Sequence, residues 1–132
     1  MAGFVFKYML GGGVVYLTSF PVKDGESIVK GALCKITGGE AEPADSNDAT
    51  MFGAAANDAG EGEIVKLYPP DSVYAIVDAN ERKCGDALDL NATSDGVATK
   101  SNDDLVVVRN SAATEDTLVA LHNNAKIFIN AT

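Results

Sequence analysis

Val22-Lys-Asp-Gly-Glu-Ser-Ile-Val-Lys-Gly-Ala-Leu-Cys-Lys-Ile36 decides the fold class. Lys23-Asp24-Gly25 is turn chemistry, Gly31 is a second turn, and each leads into a run of only a few apolar residues. Small β-barrels and β-clips reverse direction in this way without long loops. The same pattern runs outward in both directions. The chain has 13 glycines and 4 prolines, and they punctuate short runs of Val, Ile, Leu, Phe and Tyr. No long glycine-free window shows helical spacing, whereas alternation at period two recurs throughout. The chain reads as all-β, a small single-domain β-barrel or β-sandwich of short strands joined by Gly-rich turns.

Strands are expected at residues 4–9, 14–20, 32–37, 51–55, 64–68, 73–77, 87–90, 96–99, 105–109, 117–121 and 125–129. Residues 39–50 and 110–115 are polar and read as exposed loops. Two hairpins stand out. Asn123-Asn124 suits a type I′ turn, which sets Leu118 opposite Ile129 and Ala120 opposite Ile127, with Val119 and Phe128 meeting on the other face. Both faces of that hairpin are apolar, so burial on both sides is expected. The second joins Leu88 and Leu90 to Val97 and Thr99 around Ser94-Asp95-Gly96. Gly31–Ile36 and Gly85–Leu90 echo one another, which reads as two glycine-led strands rather than as a duplication.

At 132 residues the chain suits one domain. Its net charge of −9 disfavours a phosphate backbone as partner, so no direct nucleic-acid binding is expected. Lys7 and Gly11-Gly12-Gly13 interrupt the apolar start, which reads as neither signal peptide nor membrane span. Cys34 and Cys84 are too few for a disulfide framework; both are expected as buried free thiols in a protein made in a reducing cytoplasm.

Chemistry-bearing patterns are weak. His122 is the only histidine, and neither a zinc set with Cys34 and Cys84 nor a nucleophilic triad has its spacing. Asp103-Asp104, Glu61 with Glu63, and Asp86 with Asp89 all flank turns and read as solvated loop charges rather than a glycosidase pair. Asp45-Ser-Asn-Asp48 lacks the glycine and distal glutamate of an EF-hand loop. Gly11-Gly12-Gly13 is not followed by the Lys-Ser/Thr of a phosphate loop. No catalytic, metal or cofactor site is assigned, and the chain is expected not to be an enzyme.

Several pieces, taken in order, carry a resemblance: Gly25-Glu-Ser-Ile-Val-Lys-Gly-Ala-Leu33, Met51-Phe-Gly-Ala-Ala55, Gly60-Glu-Gly-Glu-Ile-Val-Lys-Leu67, and Cys84-Gly-Asp-Ala-Leu88 with Asp95-Gly96. Over about residues 22–99 the chain is similar to the capsid cement proteins of tailed bacteriophages, the small head-decoration family. It departs at Cys34, where valine is usual, and at Gly53-Ala-Ala-Ala56, a blander strand than the family's; residues from Ser101 onward match no motif. The resemblance implies a structural protein on the outside of the virion capsid, binding the major capsid protein, usually as a homotrimer bracing neighbouring capsomers. Two other classes are a β-hammerhead carrier module and a small carboxylate-dependent hydrolase. None of the eight lysines has a carrier's hairpin-tip setting.

Residues 1–20 form an N-terminal strand or arm region, and 21–132 the barrel-like domain. Lys7 is the only charge in the first 22 residues, so this segment should lie against something. Two readings stand: an arm added to a neighbouring chain, or a first strand folded into its own sheet. The residues expected at an oligomer or capsid interface are Phe4, Phe6, Tyr8, Val14, Tyr16, Val119 and Phe128.

Overall fold

A computed structural model describes residues 3–45, 51–78, 80–91, 96–98 and 104–121. Eleven strands lie among them: β1 (Val5–Met9), β2 (Thr18–Pro21), β3 (Leu33–Thr37), β4 (Glu40–Pro43), β5 (Met51–Ala54), β6 (Ile64–Leu67), β7 (Ser72–Ile76), β8 (Ala87–Leu90), β9 (Val97–Ala98), β10 (Leu105–Val107) and β11 (Thr117–Leu121). One 3-10 turn, Leu10–Gly12, follows β1. All the strand pairs are antiparallel, in sheets of order β1-β7-β11-β10-β8-β9, β2-β6 and β4-β3-β5. The all-β class holds, as three sheets rather than a closed barrel. No helix among the described residues is long and apolar enough to cross a membrane.

β4 corrects the loop expected at 39–50. Gly38 and Gly39 both have positive φ, 60° and 82°, which is the type I′ geometry that folds the chain back onto β3, with Thr37 opposite Glu40. The two flanking acids hid a strand that is held by its turn rather than by its own apolar pattern. Residues 14–17, by contrast, belong to no strand, and β2 begins only at Thr18. The hairpin between β8 and β9 has the expected register, Leu90 opposite Val97.

The glycine-led echo extends to matching backbone hydrogen bonds, so its two segments sit in structurally equivalent units. Ile28 exchanges both backbone hydrogen bonds with Ala59, at 2.8 and 2.9 Å, as Arg82 does with Ser111, at 3.0 and 2.9 Å. Gly31 N–H donates to Ala55 O and Ala55 N–H to Ala32 O; Gly85 N–H donates to Val107 O and Val107 N–H to Asp86 O. Side chains follow suit. Asp58 Oδ1 accepts from Lys30 N–H at 2.7 Å, and Asn110 Oδ1 from Cys84 N–H at 2.8 Å. Glu63 Oε1 accepts from Gly60 N–H at 2.5 Å, and Glu115 Oε1 from Ala112 N–H at 2.8 Å. The bridge Ala55–Leu67 and the bond from Tyr68 N–H to Ala54 O join the two small sheets, so the first repeat runs β2-β6-β5-β3-β4. The second runs β7-β11-β10-β8-β9 in the same order.

Each repeat encloses apolar side chains. Val22, Ile28, Cys34, Ala41, Ala55, Ala59, Val65 and Leu67 pack together in the first. A larger cluster spans both repeats, with Leu33, Ala44 and Ala54 of the first against Tyr74, Leu88, Leu105 and Val119 of the second, and Phe4 from the N-terminal segment. Tyr74 ties the repeats: its hydroxyl accepts from Ala54 N–H at 2.9 Å, and its ring meets Phe4 and Tyr68 edge-on. The opposite face of the six-stranded sheet is also apolar, with Val73, Ala75, Val106, Leu118 and Ala120 buried beside Leu10.

The second of the two N-terminal readings is what the fold contains. β1 pairs with β7, Val5 opposite Ala75 and Met9 opposite Ser72, with a bulge at Lys7. β11, fully buried, lies between β7 and β10, and both its edges are taken. Its described residues therefore have no free edge for the expected hairpin with 125–129; that second strand, Phe128 included, lies outside the described residues.

Candidate interaction surface

The surface reading falls on residues 12–21. Beyond the 3-10 turn Gly13 is extended and residues 14–17 belong to no strand, and a run of apolar side chains faces solvent: Val14 is 87% exposed, Tyr16 64%, Leu17 43% and Val15 42%. Tyr8 on β1, 47% exposed, and Val5 add to the apolar surface of the N-terminal segment. A soluble chain rarely leaves four consecutive large apolar residues in water without a partner. No charged side chain occurs between Lys7 and Lys23.

The residues expected at an interface divide. Tyr8, Val14 and Tyr16 are exposed. Phe6 is half-buried and lies flat on Tyr68, the rings 4.7 Å apart and 4° from parallel. Phe4 and Val119 are corrections: both are buried in the shared core, because Phe4 is pinned by its N–H to Gly31 O at 2.8 Å and Val119 sits at the centre of β11 between two strands. Phe128 lies outside the described residues, as do His122 and Ser46-Asn47-Asp48 of the calcium-like loop.

The carboxylates have a use that solvated loop charges would not. Glu61 accepts from Gly25 N–H, Asp86 Oδ2 from Lys83 N–H at 2.8 Å and Asp104 Oδ2 from Leu90 N–H at 2.8 Å. With Asp58, Glu63 and Glu115, Glu61 and Asp86 tie down amides in and beside turns, as side-chain acceptors do generally, while Asp104 takes the last amide of β8. Asp78 takes a two-point contact from Arg82, Nε to Oδ2 at 2.6 Å and a terminal nitrogen to Oδ1 at 3.4 Å. Burial pushes the Asp78 carboxyl up, but the hydrogen bonds and charge of Arg82 together with Asn80 outweigh it and hold it below the usual range.

Cys34 lies inward on β3, and burial pushes its thiol up to about 12. Cys84 corrects the expectation of two buried thiols: it is exposed at the entry to β8, its Sγ 3.3 Å from Val108 O. The entry turn of the second repeat faces solvent, which a valine- or leucine-like reading of cysteine misses. Among the described residues no group of His, Cys, Asp and Glu is arranged to hold a metal.

No family model matches the sequence, and no curated protein does. Among solved structures, the chain is similar to the N base of the head fiber gp8.5 of bacteriophage phi29. The match has a TM-score of 0.57 at 15% identity and covers 82% of this chain and 94% of that one. At that identity the likeness is one of fold, and it extends over nearly the whole of the phage domain.

Proposed function

We propose that the chain is a structural protein of a bacteriophage virion, carried on the capsid exterior, where it binds the major capsid protein as a homo-oligomer and braces neighbouring capsomers. The observation that carries this is the shared fold with a phage head fiber base, along 94% of that domain. The cement-protein motifs at residues 22–99 point the same way, and trimers are the rule in that family. Two features of the chain agree. Its carboxylates are committed to backbone amides rather than paired across a cleft, and its most apolar surface is a segment in no strand that leads into β2, the setting that strand addition uses. A net charge of −9 suits a surface turned away from packaged DNA.

The test is co-sedimentation with DNA-emptied heads of the phage that encodes the chain, stripped of their own copies. Saturable uptake at a fixed ratio to the major capsid protein is expected, with light scattering of the free protein giving the oligomer. Uptake no greater than that of an unrelated acidic protein, with no saturation, overturns the reading.

A further inference from the structure

The two matching units differ at one strand position, which β1 fills in the second and which no strand among the described residues fills beside residues 15–19 in the first. In the second repeat β7 is bordered by β11 on one edge and by β1 on the other. Its counterpart in the first repeat is β2, since Phe20 pairs with Val65 as Ile76 pairs with Thr117 at matching places. Among the described residues β2 has a strand only on the β6 side. Its other edge is met at the C-terminal end, where Val22 forms a parallel bridge with Ala41 of β4 and Lys23 N–H donates to Ala41 O at 3.0 Å, which leaves residues 15–19 uncovered among the described residues. Val22 N–H turns to Glu63 O on the β6 side, so by alternation Leu17 and Ser19 present their backbone groups to the same edge as Lys23. Leu17 and Ser19 are the counterparts of Val73 and Ala75, which β1 covers opposite Tyr8 and Val5. Val73 and Ala75 are buried, whereas Leu17 and Ser19 are exposed. Pro21, lacking an N–H, stands just beyond the stretch that such a strand would cover.

We propose that this edge, residues 15–19, receives an extended strand of another virion protein, antiparallel to β2, with alternating apolar residues and with Lys or Arg at its N-terminal end. The strand direction follows from the filled counterpart, which is antiparallel. The cations follow from charge. An antiparallel strand brings its N-terminal end to the end of β2, where Asp24, Glu61 and Glu63 are exposed and Glu26 is half-buried; of the cations near them, Lys23 is already paired with Glu42 at 3.3 Å, and Lys66 lies farther back, opposite Ser19. Among the described residues, a second copy of this chain offers no such strand. Its β1 is engaged on β7, and its own segment from Tyr8 to Val22 carries no cation. The capsid is the source this fits, so the inference rests on the virion reading above and deepens it.

The test has two arms. In the first, amide exchange is followed in free and head-bound protein. Exchange at residues 16–20 slowed at least tenfold on heads is expected, with binding lost in Leu17→Pro, which removes an N–H from the open edge only. Binding should be about fivefold weaker in Asp24→Asn/Glu26→Gln at low salt, with a smaller difference in 0.5 M NaCl. A head-bound protein with residues 16–20 still exchanging freely overturns this inference and leaves the virion reading intact; absence of head binding overturns the reading itself. The second arm needs no heads and survives a Leu17→Pro chain that fails to fold. A synthetic peptide Lys-Arg-Gly-Val-Thr-Val-Thr-Val-Gly should protect Leu17 and Ser19 in the parent at lower concentration than Gly-Val-Thr-Val-Thr-Val-Gly-Lys-Arg. Equal potency of the two, or protection that rises with protein concentration alone and marks the edge as a contact between copies, overturns the proposal.

Discussion

Tyr74→Phe removes one oxygen and tests whether the two repeats are held as a unit by a single buried hydrogen bond. The ring of Tyr74 is fully buried and is packed edge-on against Phe4 at 5.9 Å and Tyr68 at 6.3 Å, contacts that phenylalanine keeps. The hydroxyl accepts from Ala54 N–H of the other repeat at 2.9 Å, and burial pushes its pKa up to about 12. Without it the buried Ala54 N–H loses the hydroxyl acceptor that it has in the fold. An orphaned buried amide costs about 1–3 kcal/mol. For a chain of this size that corresponds to a fall in melting temperature of roughly 3–5 °C per kcal/mol. Urea titrations of parent and variant at one protein concentration measure it, with an unchanged m value showing that the unfolded state has not moved. Tyr8→Phe, half-exposed on β1, is the control and should stay within about 0.5 kcal/mol of the parent. A Tyr74→Phe loss no larger than that of the control would refute the pinning of the repeats through this bond.

Gly53→Ala should fail to give folded protein, because an added Cβ would stand 2.0 Å from the Tyr68 carbonyl oxygen, a backbone atom that cannot swing aside; soluble yield and circular dichroism decide it. Thiol labelling of the native protein should modify Cys84 at the rate of a small exposed thiol and leave Cys34 unmodified until urea unfolds the chain. Because the unfolded Cys34 thiol ionises near 9 and the folded one only near 12, stability should fall as pH rises between those values, by about 1.4 kcal/mol per unit; Cys34→Ala should remove this part of the slope and leave that from Tyr74. Asp78 has the opposite sign: its lowered pKa adds stability above roughly pH 4 that is lost as pH falls through the folded value, so Arg82→Ala should flatten the acid limb of a stability–pH curve.

What could be read from the chain alone followed from local chemistry. Period-two runs between glycine turns placed ten of the eleven described strands, and Leu90 opposite Val97 followed from Ser94-Asp95-Gly96. What could not be read is non-local. Phe4 and Tyr8 are alike as aromatic residues in an apolar run, yet Phe4 enters the core because Gly31 lets the backbones touch there, with an added Cβ at Gly3 standing 3.0 Å from Gly31 Cα. Val119 looked like half of a hairpin, but β7 and β10 claim both its edges. The equivalence of the two units is faint in sequence because its signal lies in backbone hydrogen bonds rather than in side chains. Cys34 stands where the second repeat has Leu88, Lys35 where it has Asp89, and Ala55 where it has Val107. Only the turn chemistry is shared, in Gly31 with Gly85, in the side-chain oxygens of Asp58 and Asn110, and in the carboxylates of Glu63 and Glu115.

The asymmetry between the repeats is where function enters such a fold. Two copies of one five-strand unit could each bury their own edges, and in the second repeat β1 does this for β7. In the first repeat the equivalent strand instead begins late, at Thr18, and the residues that would extend it are Val14, Val15, Tyr16 and Leu17. A monomer with no partner would be better served by charge or proline along such an edge, the usual protection against unwanted pairing. Here Pro21 protects only the far end, and no charge appears until Lys23. Acids are held in the turns, where Glu61 and Asp86 fix amides, while the stretch from Tyr8 to Val22 carries no charge. Among the described residues, the apolar edge at 15–19 is thus where the first repeat departs from the second, in which β1 covers Val73 and Ala75.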